Sequence, residues 1–108
     1  APLLPAYNAS KHAVIGLTRS TAEAYGRDGI RTNAVCPAPI NTRMMRSIEL
    51  GMGGNEPDAI RSRFESTIPL GRYGEAHEVA SLVAFLLSSE SSFINGSMYS
   101  IDGGSTPY

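Results

Sequence analysis

Residues 7–37 read YNASKHAVIGLTRSTAEAYGRDGIRTNAVCP, and two changes of pattern inside this stretch decide the fold. Over residues 7–25 no proline occurs. Ala9, Ala13, Val14, Leu17, Ala24 and Tyr25 recur there at three- and four-residue spacing, the period of a helix with an apolar stripe. Pro5 stands just ahead of it, and Gly26 with Gly29 supplies the backbone freedom that ends it. Residues 30–36 follow as a short run with Ile30, Val35 and Cys36 apolar, closed by Pro37, which predicts a buried strand. Helix, tight turn and strand in succession are one half of a parallel βαβ repeat, so the predicted class is α/β with a parallel sheet. Ligands in such sheets bind beyond the carboxyl ends of the strands, here at Pro37 and the loop that follows.

Beyond residues 37–42, which read as a loop, a Met- and Arg-rich stretch predicts a short helix interrupted by Gly51, Gly53 and Gly54. A second helical stretch, residues 57–66, carries Ile60 and Phe64 one turn apart before Pro69 breaks it. Together, residues 43–68 suit a lid. Residues 75–87 are the most apolar element, with Val79, Leu82, Val83, Phe85, Leu86 and Leu87 around much of the helix, which predicts burial on several sides. Ala6, Ala9, Ser10, Ala13, Gly16 and Ser20 leave room for a close neighbour along the first helix as well. Residues 97–101 read as a last strand before Asp102-Gly103-Gly104. Two parallel strands are not expected to be stable alone, so the remaining strands are expected from elsewhere in a longer polypeptide.

Nine Lys plus Arg against ten Asp plus Glu give a net charge of -1, which leaves no electrostatic footprint for nucleic acid or an anionic membrane. Hydrophobic residues at 42% and charged residues at 18% suit a packed chain rather than a disordered one. A single cysteine, Cys36, forms no internal disulfide, and His12 and His77 offer no zinc-site spacing, so a reducing cytoplasm is expected. No apolar run approaches the roughly 20 residues that span a bilayer, and no basic and apolar leader opens the chain. Asn8-Ala9-Ser10 and Asn95-Gly96-Ser97 match the glycosylation acceptor by chance.

The one lysine, Lys11, lies four residues after Tyr7. On a helix this spacing puts both side chains on one face, with Cβ atoms about 5 to 6 Å apart. An ammonium beside a phenol favours the phenolate, which suits such a tyrosine to proton transfer. Spacing alone favours an ordinary surface pair near the start of a helix.

The setting of this pair adds a resemblance. Tyr7-Asn8-Ala9-Ser10-Lys11, then Arg31-Thr32-Asn33-Ala34-Val35-Cys36-Pro37, then Ile40-Asn41-Thr42 resemble the short-chain dehydrogenase/reductase family. The resemblance runs on through Pro69-Leu70-Gly71-Arg72-Tyr73-Gly74, Glu78-Val79-Ala80, Phe85-Leu86, Ile94-Asn95-Gly96 and Ile101-Asp102-Gly103-Gly104, in the family's order. The pattern is similar to the carboxyl-terminal half of a 3-oxoacyl-reductase-like member. It implies one segment of a single Rossmann-type, three-layer α/β/α domain, incomplete in this chain.

The resemblance implies Tyr7 as the acid/base of hydride transfer between NAD or NADP and a secondary alcohol or ketone. Lys11 is then the residue that holds the nicotinamide ribose and assists the tyrosine. Pro37, Ala38, Ile40 and Thr42 match positions around the nicotinamide and phosphates, and Thr42 also reads as a helix N-cap. The family's glycine-rich turn, Asn-Ala-Gly segment and catalytic serine belong upstream; Gly51-Met52-Gly53-Gly54 does not replace the turn. Ala38 stands where the family commonly has glycine, and Ala76 where a proline often opens the next helix.

Met44, Met45, Ile48, Leu50 and Met52 fall in the substrate-covering segment, where they suit either an apolar substrate or core packing. Arg43 and Arg46 read as a solvated helix face, and His12, His77 and Cys36 as structural. A dimer or tetramer is implied for the full-length form. The competing expectation is a truncated, inactive product that serves at most as an association module.

Overall fold

The computed structural model describes residues 5–105. Helices α1 (Pro5–Tyr25), α2 (Arg43–Gly53), α3 (Pro57–Ser66) and α4 (Ala76–Leu87) accompany strands β1 (Ala34–Pro37) and β2 (Met98–Ile101). Ala34 N–H donates to Ser97 O (2.9 Å) and Ala38 N–H to Ile101 O (3.1 Å), an equal advance on both strands, so β1 and β2 pair in parallel. The chain divides into two compact units, one holding residues up to Val35 with Phe85–Tyr99, the other Cys36–Ala84 with the residues from Ser100 on.

In the first unit, α1 takes in Pro5 and Ala6, two residues beyond the expected start, because proline's fixed φ suits a first helical turn. Gly29 turns the chain at φ 79°, its N–H returning to Gly26 O at 3.0 Å. The following strand opens at Ala34 rather than at residue 30. Ile30 N–H is still tied to Tyr25 O (3.3 Å), and the next residues are held largely through side chains. Thr32 N–H donates to Asn95 Oδ1 (2.9 Å), Asn33 Nδ2 to Ile94 O (3.1 Å), and Ser97 N–H to Asn33 Oδ1 (3.0 Å). Asn95 also donates from Nδ2 to Ala22 O at 3.2 Å, so both ends of its amide are used. Gly96, at φ 75°, lies so near α1 that a Cβ there would stand 3.2 Å from the Ala22 Cβ. Arg31 gathers three carbonyls: Nη2 donates to Leu86 O (2.9 Å) and Ser88 O (3.1 Å), and Nη1 to Ile94 O (3.2 Å).

The expectation of helices covered on several sides is not met among the described residues. Only Thr18 and Ala22 of α1 are buried, Val14 and Leu17 being exposed, and only Leu86 of α4 is buried, with Leu87 81% exposed. Two short strands offer these helices too little apolar surface to cover more than one face.

In the second unit, Gly74 N–H donates to Pro39 O (3.1 Å) and Asn41 N–H to Gly74 O (2.8 Å), making a parallel bridge between Ile40 and Gly74. A Cβ at Gly74 would meet Ile40 Cδ1 at 2.8 Å, so a side chain there would push the end of Ile40 aside. The expected segment 43–68 resolves into α2 and α3. Gly51 and Gly53 lie inside α2, which ends at Gly54 with φ 55°, and Pro57 occupies the first turn of α3. Met45, Ile68 and Tyr73 form the core of this unit, with Phe64 packed against them.

Candidate functional site

The α1 backbone brings Tyr7 and Lys11 together, as their spacing predicts. Lys11 Nζ lies 5.0 Å from the centroid of the Tyr7 ring, within cation–π range. Tyr7 is 51% exposed, so its side chain is open to solvent beside the ammonium. Two neighbours turn to the helix backbone instead. Ser10 Oγ donates to Tyr7 O (2.8 Å), and His12 Nδ1 lies 2.8 Å from Asn8 O, in keeping with a structural role. Cys36 is half-buried in β1.

Pro37, Ala38, Ile40 and Thr42 belong to the other unit, where they form the end of β1 and the loop after it. No described residue other than glycine has a positive φ, so Ala38 sits in ordinary backbone with its N–H on Ile101 O. Ile40 is fixed by its bridge to Gly74. Thr42 caps α2: its Oγ1 accepts from Met45 N–H (3.3 Å) and its carbonyl from Arg46 N–H (3.1 Å). A hydroxyl that accepts one bond still has its own proton to donate. A cavity of about 100 Å³ touches Ala38, Pro39 and Ile40, too small for a dinucleotide. At its edge Arg72 forks onto Glu78 (Nη1–Oε1 2.8 Å, Nη2–Oε2 3.1 Å). The Arg72 hydrogen bond, with one from the Glu75 backbone, holds the Glu78 carboxyl down at about 2, and the same pairing raises Arg72.

A second cluster escaped the sequence reading. Glu49 is 3% exposed and Tyr73 2%, and Tyr73 Oη donates to Glu49 Oε2 at 2.5 Å. Arg46, expected on a solvated face, is half-buried because Glu49 draws it inward. Its Nη2 donates to Glu49 Oε2 (2.7 Å); its Nε lies 2.7 Å from Oε1 as an ion pair whose N–H is not aligned for a hydrogen bond. The Arg46 and Arg61 guanidiniums lie 5.6 and 4.8 Å from the Tyr73 ring centroid. Burial pushes the Glu49 carboxyl up, but the bonds from Tyr73 and Arg46 and the two nearby cations outweigh it and hold it below the usual carboxylate range. Burial, then the bond to Glu49 and its charge, push the Tyr73 phenol up to about 12. The signal in the sequence was faint: Arg46 and Glu49 are three apart on one helix face, with nothing to say that the face is inward.

A family model described as Enoyl-(Acyl carrier protein) reductase matches residues 1–106. Short-chain dehydrogenase/reductase aba4 of Botryotinia fuckeliana is 50% identical over 99 residues, 91% of this chain and 37% of that protein. The chain belongs to the short-chain dehydrogenase/reductase family. Levodione reductase of Leifsonia aquatica is 45% identical over 98 residues, and a levodione reductase crystal structure superimposes with a TM-score of 0.86 over 91% of this chain and 38% of its own. 4-Hydroxyisoleucine dehydrogenase, solved with NADH, matches at a TM-score of 0.79 and 37% identity over 94% of this chain and 40% of its own. The Rossmann-type α/β class expected for a short-chain dehydrogenase/reductase therefore stands, the small parallel sheet being part of that larger fold. The chain spans about 37% of the length of these curated relatives. Among the described residues there is no helix long and apolar enough to cross a membrane, and no cluster of three or more candidate metal ligands.

Proposed function

We propose that the protein is an NAD(P)-dependent oxidoreductase acting on a secondary alcohol or ketone, with Tyr7 as acid/base and Lys11 assisting. The observation that carries this reading is the Tyr7–Lys11 pair: one helix face, 5.0 Å between ammonium and ring, and a phenol open to solvent. The NADH in the 4-hydroxyisoleucine dehydrogenase structure and the dehydrogenase and reductase names of the relatives support it.

The residues present fit a nicotinamide dinucleotide. Lys11 has ammonium protons to donate to ribose hydroxyls, and Thr42 has a hydroxyl proton for an anionic oxygen. Pro37 and Ala38 give the loop stiffness and a small profile, and Ile40 is pinned by its bridge. When bound, the cofactor supplies or accepts the hydride. Tyr7 gives its hydroxyl proton to the carbonyl oxygen as that oxygen gains electron density, or removes the alcohol proton in the opposite direction. The ammonium beside the ring keeps the phenol oriented. Single-cysteine composition agrees with work in a reducing cytoplasm.

Tyr7→Phe tests this directly. It should lower kcat by about 10² to 10⁴ while dinucleotide affinity, read by fluorescence titration of NADH and NADPH, stays within about twofold. Unchanged turnover refutes the assignment. The exposed Val14, Leu17, Leu87 and Phe93 favour a second reading for these 108 residues alone, a product without activity that at most associates. Under that reading the isolated chain binds neither dinucleotide, and micromolar binding excludes it.

A further inference from the structure

We infer that Tyr73 and Glu49 are positioning residues for the loop of Ile40 and Thr42, acting through Arg46 and Asn41. This rests on the proposal that the loop holds a nicotinamide dinucleotide.

The connection is continuous in hydrogen bonds. Tyr73 Oη donates to Glu49 Oε2, and Arg46 donates to the same oxygen from Nη2. Arg46 Nη1 donates to Asn41 Oδ1 (3.1 Å), and Asn41 Nδ2 to Glu75 Oε1 (3.3 Å). Asn41 lies between Ile40 and Thr42, and its own N–H is on Gly74 O (2.8 Å), next to Tyr73 in the chain. The side-chain route and the backbone route therefore start at residues 73–74 and meet at Asn41. A rotation of Arg46 would remove the bond to Asn41 Oδ1, one of the two side-chain bonds of Asn41, and leave that side chain held through Nδ2 on Glu75 alone.

The chemistry of the cluster points the same way. A carboxylate this deeply buried costs free energy unless it is paired and hydrogen-bonded, and an apolar pair of similar volume would serve stability as well or better. What the charged pair adds is direction. A buried carboxylate accepting from two donors fixes the rotamers of both, and Arg46 is then forked between the core and the loop. The two guanidiniums against the Tyr73 ring tie α2 and α3 to the same point.

Tyr73→Phe keeps the ring between the guanidiniums and deletes only the hydroxyl. In the purified protein it should speed hydrogen exchange of amides in residues 38–53 by roughly tenfold or more, with α1 amides unchanged. It should raise the NADH or NADPH dissociation constant, and the cofactor KM, by roughly threefold or more, with kcat within about twofold. Glu49→Gln should act on the same amides, and the double variant should lose less than the two singles combined. Exchange that rises uniformly, or not at all in residues 38–53, overturns the inference, as does local loosening with unchanged cofactor affinity, which marks a merely structural cluster. Failure of the proposed function is separable: Tyr7→Phe with full turnover removes the proton donor, yet leaves exchange and dinucleotide affinity to judge the Tyr73 connection.

Discussion

Arg31→Met is expected to be among the most damaging single changes in the first unit. The Arg31 guanidinium donates to Leu86 O, Ser88 O and Ile94 O at 2.9, 3.1 and 3.2 Å, tying the carboxyl end of α4 to the turn before β2; Ser91 Oγ also serves Leu86 O and Ser88 O, and Asn33 Nδ2 also serves Ile94 O. Each hydrogen bond from a charged donor is worth about 1.5 to 3 kcal/mol in a protein. Their simple sum overshoots, since the longest is weak and the half-buried carbonyls regain some water, so the net loss is about 3 kcal/mol. Attraction of a cation to the helix carboxyl end contributes about 0.3 to 1 kcal/mol more. Arg31→Lys keeps that attraction but, with one ammonium in place of a planar fork, should recover only about 1 kcal/mol. Urea denaturation followed by far-ultraviolet circular dichroism reads both: with a slope of about 1.5 kcal/mol per molar, the Met variant should unfold roughly 2 M earlier. A loss below about 0.5 kcal/mol, or a lysine variant as stable as arginine, would show that these carbonyls are as well served by water.

Gly103→Ala combines φ 61° with a Cβ placed 2.7 Å from Ile68 Cγ2, and should cost about 2 to 4 kcal/mol, whereas Gly29→Ala, at φ 79° in open space, should cost about 1 to 2 by the same denaturation. Thr42→Ala should lose about 1 kcal/mol of cap energy and Thr42→Ser almost none, read from the α2 amides by hydrogen exchange. Glu78, held at about 2 against an ordinary 4.5, contributes stability that is present above pH 4.5 and lost as pH falls towards 2; Arg72→Gln should return its carboxyl midpoint, read by carbon-13 NMR, towards 4.5. Tyr73, raised to about 12, has the opposite sign: its contribution is full below pH 10 and fades between 10 and 12, a late phenolate absorbance step that Tyr73→Phe should abolish.

The helices were legible because their apolar residues recur with a helical period and because proline and glycine punctuate them; α1 and α4 lie within two residues of their expected bounds. The first strand was less so. Ile30 looks like strand but completes the turn off α1, and Arg31, Thr32 and Asn33 are held by side-chain hydrogen bonds that link residues 55 to 63 apart, which no local pattern reveals. Tyr7 and Lys11 were legible because one turn of helix suffices to bring them together. Glu49 and Tyr73 were not, since their meeting depends on how α2 packs on the core, and a glutamate among arginines looks the same from the sequence whether it faces water or protein.

Asn95 and Gly96 form the dipeptide most prone to spontaneous deamidation, in which the glycine nitrogen attacks the asparagine side-chain carbonyl and ammonia departs. Here that nitrogen is engaged by Thr32 O at 2.8 Å, and the carbonyl under attack accepts from Thr32 N–H. The native state thus shields its own weakest covalent link. Each unfolding event lifts the shield, and an aspartate formed there would face the Ala22 carbonyl with an acceptor in place of a donor. Chemical ageing at this position should consequently keep time with excursions from the folded state rather than with storage as such.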